Sequence, residues 1–228
     1  MPATARTAKS SKRRPPLTRE RVLRTAVALA DERGVGELTM RKLARELGVE
    51  AMSLYHHVAS KDALLDGMVD IVFGEIDPPA PGGDWKAELR KRALSTRAAL
   101  GRHRWAVGEM EGRGDHGPAN LRIHDAVLGC LLGAGFSEEM AVHAYSIQDA
   151  YIYGFALQQT DMSSQTPEDF AAEAQRQMVD YEAVLADYPH LVRVVGGYVA
   201  KAGYDYDTEF LFGLDVILDG LERLLRER

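Results

Sequence analysis

Histidine and cysteine are the first side chains to examine for catalytic or metal-binding chemistry, because they titrate near neutral pH or coordinate metals. The chain contains seven histidines and one cysteine. No His-Glu-x-x-His, Gly-x-Ser-x-Gly or phosphate-binding glycine loop accompanies them. The adjacent His56 and His57 would point about 100° apart on a helix, so they cannot easily share one metal ion. We therefore predict no enzyme activity, no metal and no cofactor, and we expect surface or pocket roles for the histidines.

A set of residues suited to ligand binding lies on the segment 138–159. Four of its side chains recur at spacings of 3, 4 and 3, which places them on one stripe of a helix. They are Gln148, Tyr151, Phe155 and Gln158. A pure core does not need two amides, because each buried amide must find hydrogen-bond partners. We predict that this stripe lines a pocket for an apolar or aromatic organic ligand, with Thr96, His103 and Trp105 on the opposite wall. A solvated stripe or part of a dimer interface is the alternative.

The segment 38–65 carries the clearest structural pattern. Thr39 is a good N-cap, and the apolar residues after it follow one helical face. They are Met40, Leu43, Ala44 and Leu47. Gly48 can end this helix in the left-handed conformation, and a second short helix would bury Leu54 and Val58. Two short helices around a glycine turn, with the second polar on its outer face, predict a helix-turn-helix. An ordinary helical hairpin is the alternative.

Charge is distributed unevenly along the chain. Residues 1–61 carry 13 Lys and Arg against 6 Asp and Glu, a net charge of +7. Residues 62–228 carry 15 against 28, a net charge of −13. Such asymmetry indicates a basic nucleic-acid-binding region joined to an acidic body. The acidic body argues against a nucleoid-type structural protein, which would be basic throughout.

The sequence predicts an all-α fold in three segments. A basic tail, 1–17, has too few apolar residues to become ordered. A helix-turn-helix DNA-binding domain, 18–77, precedes a segment rich in proline and glycine that no helix should cross. A larger effector-binding and dimerisation domain, 84–228, follows. Helices are predicted in it at 84–103, 118–132, 138–159, 166–186 and 208–225.

The last predicted helix, 208–225, is apolar around more than one face, so it must be buried on two sides. Gly213 and Gly220 lie seven residues apart near one stripe and would allow another backbone to approach closely. We predict that this helix and the one at 138–159 pair with their copies in a homodimer. Burial of the helix inside a monomer is the alternative.

Bulk features limit where the protein can act. Cys130 lies in an apolar segment, so we expect a buried, inert thiol. No uncharged run reaches the ~18 residues that a membrane span needs. The first 16 residues lack the apolar stretch of a signal peptide. We expect a cytoplasmic protein without a membrane partner.

Two groups of short motifs share one family resemblance. The motifs in the N-terminal region are Leu-Thr-Met-Arg-Lys-Leu-Ala (38–44), Leu-Gly-Val-Glu (47–50), Leu-Tyr (54–55), His-Val (57–58) and Lys-Asp-Ala-Leu-Leu (61–65). Those in the body are Ala-Gly-Phe-Ser (134–137), Phe-Leu-Phe-Gly-Leu-Asp-Val-Ile (210–217) and Gly-Leu-Glu (220–222). With these motifs, nearly all of 18–160 and 205–226 resembles the tetracycline-repressor (TetR) family of bacterial transcription regulators, and the body motifs resemble the subgroup with a tetracycline-repressor-like C-terminal domain. The resemblance implies a homodimer that represses transcription at a palindromic double-stranded DNA operator and leaves it when a small molecule binds the body.

The resemblance also implies which residues contact DNA. They are Thr39, Met40, Arg41, Ala51, Met52, Ser53, Tyr55, His56, His57 and Lys61. The hydroxyls of Ser53 and Tyr55 can bond phosphate oxygens, and Arg41 can pair with guanine. Where the tetracycline repressor presents a glutamine and a proline to the bases, this chain has the apolar Ala51 and Met52. We therefore expect an operator that differs from the tetracycline operator.

The resemblance is weaker at the effector site. At positions that bind magnesium and tetracycline in the repressor, this chain has Arg92, Thr96 and Met110, and Gln158 replaces a carboxylate. Methionine is not a ligand for a hard cation such as magnesium. The resemblance thus implies the scaffold but a different effector, bound without metal. A helical small-molecule-binding protein or enzyme without a regulatory role is the alternative.

Overall fold

The computed structural model describes residues 16–110, 113, 117–160, 171–173, 175, 176, 179, 182–200 and 205–227. Those residues form helices, turns and loops, with no β-strand among them. The predicted all-α fold is confirmed. Residues 1–15 of the predicted basic tail lie outside the described residues, as do the start and several later residues of the predicted helix 166–186.

Eleven helices follow one another along the described residues. They are α1 (Arg19–Arg33), α2 (Met40–Leu47), α3 (Ala51–Leu54), α4 (Lys61–Gly74), α5 (Trp85–Arg102), α6 (Ala106–Met110), α7 (Pro118–Gly133), α8 (Glu138–Thr160), α9 (Glu182–Leu185), α10 (Pro189–Val194) and α11 (Tyr206–Arg226). A 3-10 turn, Val35–Glu37, precedes α2, and a π-helical turn, Val195–Val199, follows α10. The helices predicted at 84–103, 118–132, 138–159 and 208–225 are confirmed, each within about two residues of the observed ends.

The chain divides into two compact units, 1–64 and 65–228. The division falls inside α4, which begins in the first unit and continues in the second. The domain bounds 18–77 and 84–228, inferred from composition, remain predictions.

The helix-turn-helix of the first unit forms through local signals. The Thr39 hydroxyl accepts a hydrogen bond from the Lys42 amide at 3.2 Å, which satisfies one of the free donors at the start of α2. Gly48 ends α2 in the left-handed region, with φ at 68°. Leu43 of α2 and Leu54 of α3 are fully buried. Capping, a glycine turn and one apolar side chain from each helix thus determine how α2 and α3 pack.

The second unit is built around α5, α7, α8 and α11, which pack against one another. Buried apolar side chains in its interior include Leu89, Leu100, Ile123, Leu131, Ile152, Phe210 and Leu214. Lys86 of α5 also pairs with Asp219 and Glu222 of α11, at 2.6 and 2.8 Å. Cys130 is a free, buried thiol, as expected, and burial raises its pKa.

A carboxylate of α4 caps α7. Oδ1 of Asp70 accepts hydrogen bonds from the amides of Ala119 and Asn120, at 2.8 and 3.0 Å. A carboxylate suits this position because the first amides of a helix are unpaired and carry partial positive charge. A Cβ at Gly117 would lie 2.7 Å from the Cβ of Asp70, so only glycine fits beside this cap. The cap fixes the part of α4 that belongs to the second unit against the first turn of α7.

Candidate nucleic-acid interface and cavity

A basic surface borders the first turn of α2. Thr39, Arg41, Lys42 and Arg45 line a depression there. Lys42 pairs with Glu37, and its hydrogen bond lowers the pKa of that carboxyl. Arg41 and Arg45 are exposed and lie one turn apart on the same face of α2. Guanidinium groups in this arrangement are suited to phosphate oxygens or to a guanine edge.

All ten sequence-predicted DNA-contacting residues retain accessible surface. Met52 is 72% exposed and Tyr55 is 44% exposed, whereas Leu54 between them is fully buried. Leu54 therefore holds α3 to the first unit while its neighbours point outward. Sequence reasoning missed Lys42 and Arg45, although their spacing from Arg41 along one helix was a usable signal.

The second helix of the motif is shorter than predicted. It ends at Leu54, and a turn follows in which the amides of His57 and Val58 both bond the Leu54 carbonyl, at 2.9 and 3.0 Å. Val58 is buried, so the chain turns inward at this point. Tyr55 and His56 consequently lie on an exposed turn after the helix.

A cavity of about 640 Å³ opens in the second unit, with walls from α4, α6, α7 and α8. The lining residues are Phe73, Val107, Gly108, Met110, Arg113, Asn120, His124, Tyr145, Ser146, Asp149, Ala150, Tyr153, Gly154 and Leu157. Aromatic and aliphatic side chains dominate this lining, with a few polar groups among them. Small-molecule sites in proteins have this size and composition.

Hydrogen-bonded polar groups follow one wall of the cavity. Nδ1 of His124 lies 2.9 Å from the Asn120 carbonyl oxygen, and its Nε2 contacts the Tyr145 hydroxyl. Burial and the nearby Asp149 carboxylate raise the pKa of Tyr145 well above its ordinary value. The phenol therefore stays protonated at neutral pH and can serve as a hydrogen-bond partner inside the cavity.

Asp149 forms a buried ion pair with Arg92. The guanidinium Nη1 lies 2.6 Å from the Asp149 carboxylate, and Arg92 is 1% exposed. The same Nη1 donates to the Gln148 side chain at 3.0 Å. Burial alone would lower the pKa of Arg92, but the charge and hydrogen bond of Asp149, together with Tyr153 and Tyr145, outweigh burial and raise that pKa. The guanidinium is therefore charged at neutral pH.

Three of the four predicted stripe residues on α8 pack away from the cavity; we call this set, Gln148, Tyr151 and Phe155, the packed face. Gln148 is fully buried and donates to the Leu89 carbonyl at 3.3 Å. Tyr151 donates to the Phe210 carbonyl at 3.0 Å and stacks on its ring. Phe155 meets the same ring edge-on. None of the three lines the cavity, and the polar groups of Gln148 and Tyr151 have partners within the protein.

The other predicted ligand-binding residues are dispersed. Thr96 is fully buried and donates to the Arg92 carbonyl at 2.9 Å. His103 lies near the half-buried Trp105, and its Nε2 is 3.2 Å from Glu75. Gln158 is exposed. The structure thus brings His103 and Trp105 together, but these four residues also lie outside the lining of the described cavity. Ligand binding by the seven remains a prediction.

A second stripe on α8 supplies the polar cavity wall. Tyr145, Asp149 and Tyr153 recur every four residues and all line the cavity; we call this set the cavity face. Asn120 and His124 show the same spacing on α7. The sequence contained this signal, since a carboxylate between two tyrosines one turn apart marks a polar helical face.

The described residues contain neither a metal-binding cluster nor a membrane-spanning helix. No group of three or more His, Cys, Asp and Glu side chains there is placed to hold a metal ion. Within the same ranges, no helix is long and apolar enough to cross a membrane.

Two family models match the chain. The model described as "Bacterial regulatory proteins, tetR family" matches residues 22–68. The model described as "Tetracyclin repressor-like, C-terminal domain" matches residues 77–225. The first contains the helix-turn-helix, and the second contains most of the cavity residues.

Curated relatives agree with these matches. The HTH-type transcriptional repressor DrrR1 of Streptomyces coeruleorubidus is 36% identical over 227 residues, which cover 94% of this chain and 81% of that protein. The tetracycline repressor protein class D of Escherichia coli is 32% identical over 213 residues, covering 90% and 89%. Both are named as repressors.

A solved structure extends the agreement to the fold. The Streptomyces coelicolor TetR family protein ActR, in complex with actinorhodin, superposes with a TM-score of 0.77 at 29% identity. The match covers 92% of this chain and 99% of that one. The resemblance inferred from sequence is confirmed. The chain belongs to the TetR family of bacterial regulatory proteins, and it is a DNA-binding transcription regulator, not an enzyme.

Proposed function

We propose that the protein is a cytoplasmic, homodimeric repressor that binds an inverted repeat of double-stranded DNA and leaves it when a small organic molecule enters the cavity. One observation carries the proposal: the same chain holds an outward-facing helix-turn-helix and a cavity lined by aromatic and polar side chains. The relatives named as repressors support the direction of regulation.

The exposed side chains of the motif divide by chemistry into two roles. Tyr55 and Ser53 offer hydroxyls to phosphate oxygens. Lys61 is the first residue of α4, where the amides of a helix start already favour an anion. Arg41 suits a guanine edge, and the exposed Met52 suits a thymine methyl group. Phosphate contacts would supply affinity, and Arg41 and Met52 would supply sequence preference.

Exposed apolar side chains on α8 and α11 support the homodimer. Ile147 and Leu157 are exposed on α8, as are Phe212 and Val216 on α11. Clustered exposed apolar residues mark interaction sites. A Cβ at Gly220 meets no atom within 4 Å in one chain, which leaves space for a second helix. An interface formed by these helices and their copies would be two-fold symmetric.

The effector is proposed to bind in the cavity. Support comes from its volume and lining, and from ActR, a relative whose structure holds the small molecule actinorhodin. An effector in the cavity would lie against the cavity face of α8, and the packed face would support that wall from behind.

Release of DNA requires a connection between the cavity and α4. Phe73, in the last turn of α4, lines the cavity, and Lys61 begins the same helix. Asp70 caps α7, whose residue Asn120 also lines the cavity. A ligand that moves Phe73 or the first turn of α7 would therefore shift α4. The ligand must favour the DNA-free conformation by about 1–3 kcal/mol or more to act as an inducer.

Selection of binding sites from a random double-stranded DNA library by the purified chain tests the proposal. We expect an inverted repeat whose half-sites lie about 34–36 Å apart, one helical turn. The logarithm of affinity should fall with the logarithm of salt concentration, with a slope of about −0.9 per neutralised phosphate. A footprint without two-fold symmetry, or binding that salt does not affect, would contradict it.

Variants of the motif separate the two roles. Lys61→Ala and Tyr55→Phe should weaken binding to every sequence alike. Lys61→Ala should also make the slope of log affinity against log salt concentration shallower by about 0.9, the contribution of one phosphate contact. Met52→Gln should change the selected sequence. Arg193→Ala is the matched control, because it removes an exposed cation from α10. Equal losses in Lys61→Ala and Arg193→Ala would mean that the motif is not the DNA-binding surface.

A further inference from the structure

The three cations of α2 differ in whether a carboxylate neutralises them. The amine of Lys42 pairs with Glu37, which lies in the 3-10 turn before the helix. Arg41 and Arg45 have no ion-pair partner in the part of the chain that the structure describes, and both are exposed. Their charges are therefore available to an external anion, whereas the pair formed by Lys42 and Glu37 has no net charge.

The two unpaired arginines lie on one flank of α2. Residues four apart on a helix are neighbours, and four residues advance about 6 Å along its axis. Thr39, which caps α2, borders the same depression as the two arginines. Glu46, the acidic residue next to Arg45, lines a different depression together with Arg21 and Arg24 of α1. The flank thus presents two positive charges along about one helical turn.

The position of α2 in the motif determines which anion this flank would meet. In helix-turn-helix proteins the second helix enters the major groove of DNA, while the first helix crosses the sugar-phosphate backbone. The first helix of this motif is α2. A guanidinium suits a backbone phosphate, because its planar N–H donors can bond two phosphate oxygens at once.

From these observations we propose that Arg45 binds a backbone phosphate one turn of α2 beyond Arg41, and that Lys42 adds nothing to the DNA contact because Glu37 neutralises it. The inference rests on the proposed function, in which the helix-turn-helix binds an operator. Arg45 is not among the DNA-contacting residues that the family resemblance implies. It would add one phosphate contact for each protomer bound.

Salt titrations of DNA binding test this assignment. Dissociation constants of the full chain are measured by fluorescence anisotropy between about 50 and 200 mM salt, on a duplex carrying the selected inverted repeat and on a scrambled duplex of equal length. Arg45→Gln should make the slope of log affinity against log salt concentration shallower by about 0.9 for each bound protomer, on both duplexes. At the lowest salt concentration, binding should weaken by at least about fivefold.

Two further variants are the controls. Arg45→Lys keeps the positive charge and should keep the slope of the unaltered chain. The double variant Glu37→Gln/Lys42→Gln removes both members of an ion pair from the same region, so the net charge does not change. Its slope should match that of the unaltered chain.

The outcomes separate this inference from the proposed function. A slope that Arg45→Gln leaves unchanged, while Lys61→Ala still weakens binding, would overturn the Arg45 contact alone. A loss confined to the selected duplex would overturn it too, because Arg45 would then read a base. A shallower slope in the double variant would show that Lys42 contacts DNA.

Two results would overturn both proposals. One is that none of Arg45→Gln, Lys61→Ala and Tyr55→Phe weakens binding, since the helix-turn-helix would then not be the DNA-binding surface. The other is that the unaltered chain binds neither duplex.

Discussion

The two faces of α8 differ in what satisfies their polar groups. On the packed face, Gln148 and Tyr151 donate to main-chain carbonyls of neighbouring helices. On the cavity face, Tyr145 and Tyr153 flank Asp149, whose carboxylate pairs with Arg92 at 2.6 Å. Both faces mix aromatic and polar residues at helical spacing, so composition alone does not separate them.

This difference shows how a polar stripe on a helix should be interpreted. Amides such as Gln148 can serve a core when carbonyl oxygens of adjacent helices lie within reach. A stripe indicates a ligand site only where the neighbouring elements leave open space in front of it, as they do beside Asp149.

The largest expected effect comes from breaking the ion pair that lies between the two faces. Arg92→Met should lower the free energy of unfolding by about 3–5 kcal/mol, because Asp149 would remain buried without its cation. Urea denaturation at pH 7 measures this. The double variant Arg92→Met/Asp149→Leu should recover most of the loss. A loss below about 1 kcal/mol in Arg92→Met would show that solvent already reaches the pair.

One methyl group added beside each face of α8 should have opposite effects on the free energy of unfolding. A Cβ at Gly213 would lie 2.7 Å from Cζ of Tyr151, so Gly213→Ala should cost about 1–3 kcal/mol by overpacking. Gly154→Ala is the matched substitution on the cavity side, where a Cβ meets no atom within 4 Å. It should be neutral or stabilise α8 by up to about 1 kcal/mol. If thermal unfolding showed equal losses of stability in Gly213→Ala and Gly154→Ala, the two faces would be packed alike.

The cap on α7 should have a smaller effect. Asp70→Ala should destabilise the chain by about 1 kcal/mol, since it leaves the amides of Ala119 and Asn120 without their acceptor. Gly117→Ala should destabilise the native chain but much less an Asp70→Gly variant, in which both the carboxylate and the Cβ that the new methyl group would overlap are absent. Additive losses in this double-mutant cycle, measured by urea denaturation, would contradict the proposed contact.

The smallest effect is expected at Glu75, beside the predicted ligand residue His103. Burial tends to raise the pKa of Glu75, but hydrogen bonds with Arg102 and His103 outweigh burial and lower it. A lowered native pKa stabilises the fold above the unfolded value of about 4.3, and this stability is lost as pH falls below it. Because the carboxylate is about a third exposed, Glu75→Gln should cost under about 1 kcal/mol at pH 7.

The pH dependence of that cost is its control. The difference between Glu75→Gln and the unaltered chain should shrink as the pH falls towards about 3, where the carboxyl is protonated in the unfolded chain and partly in the native one. If the stability difference between the two chains instead grew as the pH falls, the native pKa of Glu75 would have to be raised and not lowered.

The N-terminal motif was predictable because its signals are local. Thr39 as a cap, Gly48 as a left-handed turn and Leu54 as a buried anchor act within a few residues of their partners. The end of the second helix was not predictable, since Val58 sets it by packing into the unit.

The cavity was harder to predict because it depends on contacts between distant segments. Helical spacing identified Gln148 and Tyr151 as one stripe, but their partners, Leu89 and Phe210, lie about 60 residues away. Spacing separates Asp149 from that stripe, but it does not show which face of the helix meets open space. Only the packing of α5 and α11 against α8 decides this.

Operator release measured by fluorescence anisotropy tests the central claim most directly. The selected operator is titrated with a compound that releases it, using the unaltered chain, Gly108→Phe at the cavity and Gln158→Leu on the sequence-predicted stripe. We expect Gly108→Phe to keep operator affinity but to need at least about tenfold more compound, and Gln158→Leu to respond normally. A normal response in Gly108→Phe together with an impaired one in Gln158→Leu would contradict the account and move the effector site to the predicted stripe.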